Sequence, residues 1–105
     1  MNCLKANDVC TGASCLRAFY ARKAGFARYE GEELQLTGFL RCSQCGKTAE
    51  EDRGMAEKLN RLVSEGTETV HIGVCAQMNQ TRCETMEANA KWLEDHGIEV
   101  IWQTH

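Results

Sequence analysis

Two stretches of the chain share one grammar. Each opens on a Thr-x-x-Glu capping box, carries an apolar stripe at helical spacing, closes on a glycine and runs into a short strand-like segment. The first begins at Thr48 and Glu51, continues through Met55, Leu59, Leu62 and Val63, and ends at Gly66. It leads into residues 69–75, β-branched at Thr69, Val70, Ile72 and Val74. The second begins at Thr81 and Glu84, continues through Met86, Ala90 and Leu93, ends at Gly97, and leads into residues 98–102. The spacing therefore predicts helices over 48–65 and 81–96, each followed by a strand. Upstream, 34–40 alternates and then turns wholly apolar, as a buried strand does. Residues 13–29 read as a further helix, with Ser14 as a candidate cap and Gly25 a weak point. Strands joined through helices pair in parallel with right-handed crossovers. The expected fold is α/β: a small parallel sheet with flanking helices, a Rossmann-like layer sandwich.

The 105 residues amount to a single domain over 1–105 by length, with a modest core. Twelve Lys and Arg against fifteen Asp and Glu leave a net charge of −3. With no basic stripe to release counterions, nucleic acid is a poor expectation as partner. No apolar run reaches membrane-spanning length, and Met1-Asn2-Cys3-Leu4-Lys5 carries no secretory pattern. The seven Cys are an odd number, which cannot all pair within one chain. A cytoplasmic, reducing setting is expected, with thiols kept for metal, redox chemistry or catalysis.

In parallel sheets, ligands bind beyond the carboxyl ends of the strands. That rule gathers the thiols. Cys42 and Cys45 follow the expected strand 34–40, Cys75 closes the next, and Cys83 falls in the first turn of the helix starting at the same edge. His105 lies just past the last strand, and Cys3, Cys10 and Cys15 lead into the first helix. Thiolates are soft ligands for zinc and for iron–sulfur clusters. The two-residue gap of Cys42-Ser43-Gln44-Cys45 lets both sulfurs reach one ion, and Cys75 and Cys83 would complete a four-sulfur tetrahedron. Cys10, Cys15 and His105 follow as alternative or second-site donors, with Cys3 as a further candidate.

Rival chemistries fit less well. A dithiol redox or thiol-transfer enzyme using Cys42 and Cys45 is the main alternative, but the chain has no Pro to supply the cis-Pro of thioredoxin-like proteins. No Cys begins a Cys-x5-Arg phosphatase loop. Gly46-Lys47-Thr48 copies the end of a phosphate loop, yet its first glycine would be Arg41. His71, mid-strand, reads as a satisfied core histidine. His96 reads as a favourable charge at a helix end, and Trp92, Trp102 and Phe39 read as core.

The chain as a whole resembles the CGGC-domain proteins, small Cys- and His-rich α/β proteins of bacteria and archaea. Cys3-x6-Cys10, Cys15-Leu16-Arg17-Ala18-Phe19, Gly38-Phe39-Leu40-Arg41-Cys42-Ser43-Gln44-Cys45, Val70-His71-Ile72 ahead of Cys75, Cys83, and Gly97-Ile98-Glu99-Val100 with Thr104-His105 carry the resemblance. It implies an α/β fold and metal binding, with zinc suggested by the Cys and His content. Two features depart from it. Ser43-Gln44 stands where the family has Gly-Gly, keeping both thiols but losing the freedom of glycine backbone. Only Met1 and Asn2 precede Cys3, where family members have a full apolar strand. A late start site, a shortened chain or a strand supplied by a partner would each explain this. Residues 1–4 are therefore expected to be too few for a full strand, and the molecule is expected to associate with another copy.

Overall fold

A computed structural model describes residues 1–78 and 81–104. Among the described residues are three α-helices: α1 (Ala13–Ala21), α2 (Arg53–Ser64) and α3 (Glu84–Asp95). Four short strands accompany them: β1 (Thr69–His71), β2 (Gln77–Met78), β3 (Thr81–Arg82) and β4 (Glu99–Ile101). β1 and β4 pair in parallel with His71 opposite Ile101, and β2 and β3 form a small antiparallel ribbon. The parallel α/β expectation therefore holds.

Backbone hydrogen bonds carry the parallel arrangement beyond β1 and β4. The Asn2 N–H donates to the Leu40 carbonyl and the Cys42 N–H donates to the Asn2 carbonyl, each at 2.9 Å. On the other side the Met1 amine donates to the His71 carbonyl, and the Gly73 N–H donates to the Met1 carbonyl at 3.0 Å. Residues 1–3 thus lie between 40–42 and β1, with β4 outermost. As expected, residues 1–4 form no full strand, only one parallel bridge from Asn2 to Arg41.

The expected strand 34–40 is corrected: only its end pairs, through the Leu40 carbonyl, and residues 34–39 lie in no strand. They form an extended, largely exposed segment in which Leu36 and Phe39 are each about two-fifths exposed. Phe39, expected in the core, instead lies against Gly12.

The helices start later or end sooner than their sequence signals. At α2, Thr48 and Glu51 do pair, the Thr48 N–H donating to Glu51 Oε1 at 3.0 Å, but they close a turn ahead of the helix. Asp52 is the true cap, its carboxylate accepting from the Met55 N–H at 3.2 Å. At α3, Thr81 is drawn into the β2–β3 ribbon, and Cys83 becomes the N-cap. The expected helix over 13–29 divides. Gly12, with φ of 79°, starts α1 in place of Ser14, and Arg22 in the left-handed region ends it. A 3-10 helix over Ala24–Tyr29 follows.

Strand alternation sorts the two faces. Val70 and Ile72 point toward α2 and α3, where Met55, Leu59, Met86 and Leu93 are essentially inaccessible. His71 points the other way, toward a smaller cluster of Ala18 and Phe19 of α1 with Phe26. No helix among the described residues is long and apolar enough to cross a membrane.

Candidate functional site

The chain order across the sheet is second, first, third, fourth. It reverses between residues 1–3 and β1, and that is the point where such folds open a crevice at their carboxyl edge. Cys3 stands at the end of one bordering segment, and Cys75 lies in the 3-10 turn Val74–Ala76 after the other. They meet: the Cys3 N–H donates to Cys75 Sγ at 3.2 Å.

The remaining thiols fall to either side of that contact, in two neighbourhoods. In the first, Cys42 is buried between the sheet and α3, with the Asn89 amide donating to its sulfur at 3.8 Å. Burial pushes the Cys42 thiol up from its ordinary value, and the neighbouring Cys83, Cys45 and Cys3 thiols push the same way. Cys45 is exposed on the loop leading to α2, and Cys83 caps α3 without a side-chain hydrogen bond. In the second, Cys15 on α1 donates to Asn2 Oδ1 at 3.7 Å. Its thiol is pushed up by burial first, then by nearby Cys75 and Cys10, against the pull of the Met1 amine. Cys10 accepts from the Gly12 N–H at 3.3 Å.

The sequence rule for the carboxyl edge thus brings Cys42, Cys45 and Cys83 into one neighbourhood, while Cys75 keeps company with Cys10 and Cys15. Cys3 touches both groups and is more central than its place in the sequence suggested. The signal for it was available in the Cys3-x6-Cys10 pair. His105 lies outside the described residues. Among the described residues, no three of the His, Cys, Asp and Glu side chains stand in ligating geometry. The donors suit a thiophilic ion in kind, and Cys45 would have to turn inward from its loop to join Cys42 and Cys83.

The other histidines are accounted for. His71 Nε2 is 2.8 Å from the Tyr29 hydroxyl and Nδ1 is 3.0 Å from the Thr104 hydroxyl, while Phe26 stacks on the ring. Burial, then Arg28 and the Met1 amine, hold its pKa down at about 4. It is a satisfied core histidine, as its position in the sequence suggested. His96 follows α3, with Nδ1 2.7 Å from the Trp92 carbonyl and its ring stacked on the Trp92 indole.

A family model described as the CGGC domain matches residues 1–105, and the chain belongs to that family. No curated protein and no solved structure is matched.

Proposed function

We propose that this single CGGC domain is a cytoplasmic module that binds a transition metal ion through cysteine thiolates. Zinc is the first choice and an iron–sulfur cluster the variant. Cys42, Cys45 and Cys83 would provide the principal donors, with Cys75 completing the set and Cys10, Cys15 and His105 next in line. The observation that supports the reading is that Cys83, Cys45 and Cys3 lie near enough to Cys42, and Cys75 and Cys10 near enough to Cys15, to perturb their thiols, with the Cys3 N–H joined to Cys75 Sγ. A zinc ion there would draw the loop of Cys45 onto α3 and tie two elements together. It would replace thiol protons that burial now holds in place.

The dithiol enzyme is the weaker reading, for one specific reason. A nucleophilic thiol is expected to have a lowered pKa, whereas burial raises that of Cys42. Elemental analysis of protein purified without chelator, followed by zinc titration, tests the proposal. Bound metal at a fixed ratio supports it, and protein that carries none and takes up none refutes it. Brown colour after anaerobic purification, with absorption near 400 nm, would favour the cluster over zinc. The module would associate with a second copy, which sedimentation would detect.

A further inference from the structure

Two of the buried residues of α3 are polar. Met86, Ala90 and Leu93 pack into the main core, but Thr85 and Asn89, one helical turn apart, are buried beside them. Both reach the same loop. The Thr85 hydroxyl accepts from the Gly46 N–H at 2.9 Å, and Asn89 Nδ2 donates to Cys42 Sγ at 3.8 Å. The loop 42–46 carries Cys42 and Cys45. It is held at both ends by the helix whose N-cap is Cys83.

Asn89 is fully inaccessible, and its Oδ1 has no hydrogen-bond partner among the described residues. A buried amide left half satisfied lowers stability, and an apolar side chain of similar size would fill the position at less cost. What the amide supplies is its bond to the Cys42 sulfur. The Cys42 S–H is directed to the Gln44 carbonyl at 3.5 Å, so the sulfur meets Asn89 as an acceptor. An ion replacing that proton would leave the Asn89 bond in place. A donor to sulfur is also worth more once the sulfur carries negative charge.

We infer that Thr85 and Asn89 are positioning residues of the Cys42, Cys45 and Cys83 donor set: Thr85 pins the loop beside α3, and Asn89 orients the Cys42 sulfur and stabilises it as a metal-bound thiolate. The inference rests on the metal-binding reading above and adds which residues outside the ligands govern affinity. Groups that hydrogen-bond a ligand fix its orientation and basicity, and their loss typically lowers metal affinity ~10–100-fold.

Zinc and cobalt(II) titrations of the full-length chain, unaltered and with Asn89→Leu, Thr85→Val or Thr85→Ser, test it. Thermal denaturation and amide hydrogen exchange of the metal-free forms accompany them. Asn89→Leu should leave the metal-free protein as stable as before or more so, since sulfur is a weak acceptor and loses little. It should nonetheless weaken zinc about tenfold or more. Its cobalt(II) form should show the sulfur-to-metal charge-transfer band at longer wavelength, because a sulfur without its hydrogen bond gives up electron density more readily. Thr85→Val should speed exchange of the Gly46 amide in the metal-free protein and weaken zinc, and Thr85→Ser should restore both. Unchanged zinc affinity and cobalt(II) spectrum in Asn89→Leu would overturn the inference and leave the metal-binding reading standing. So would equal zinc affinity of the Thr85→Val and Thr85→Ser forms. An Asn89→Leu chain that is less stable or does not fold would overturn it too, since the amide would then be structural. No zinc uptake by the unaltered chain would instead overturn the metal-binding reading, and the inference with it.

Discussion

Gly12 shows how one residue fixes its surroundings. Its φ of 79° lies in the left-handed region, and a Cβ added there would approach the Phe39 ring to 2.6 Å. Gly12→Ala should cost about 1 kcal/mol or more in chemical denaturation, from backbone strain and crowding together. Phe39 is two-fifths exposed and its ring can move, so Phe39→Ala should recover only the crowding part. His71 sets a pH dependence. Its pKa is about 4 in the fold against an ordinary 6.5, so the unfolded chain takes up the proton first as pH falls. The contribution of neutral His71 is present above pH 6.5 and is lost progressively toward pH 4. Denaturation midpoints measured across that window should fall less steeply for His71→Gln than for the unaltered chain. The role of His71 was legible because an isolated histidine inside a β-branched run usually points into packing. The burial of Asn2 was not, since nothing in Met1-Asn2-Cys3 reveals an amide buried beside the Cys15 thiol.

Among the elements, α2 and α3 were legible because their stripes of Met55, Leu59 and Leu62 and of Met86, Ala90 and Leu93 match what packs on the sheet. Their starts were misread for a physical reason. Capping boxes compete with other uses of the same residues, and here Asp52 takes the Met55 N–H while Thr81 is held in a strand pair. Asp52→Ala should therefore destabilise the protein by about 1 kcal/mol, and Thr48→Ala should do less, a contrast thermal denaturation can read. Leu59 is fully buried, and Leu59→Ala should cost about 2–5 kcal/mol. The segment 34–40 has the pattern of a strand without its pairing, because a sequence pattern records which side chains prefer burial, not whether a neighbouring backbone is there.

At the scale of the molecule, topology does what no single motif could. A sheet running second, first, third, fourth brings Cys3 and Cys75 together across 72 positions of sequence. It also gathers the other thiols on either side. The edge was legible from strand order alone. The division into two neighbourhoods was not, because it depends on which side of residues 1–3 each loop passes. If a metal ion unites these donors, uptake must release protons from thiols that burial keeps protonated, and affinity should rise with pH. The most direct test is a zinc titration of chelator-free, fully reduced protein, with reactive thiols counted at each step. The account predicts saturation at a fixed ratio, with at least Cys42, Cys45 and Cys83 withdrawn from reaction together and returned by chelator. Thiols that react identically with and without zinc would contradict it.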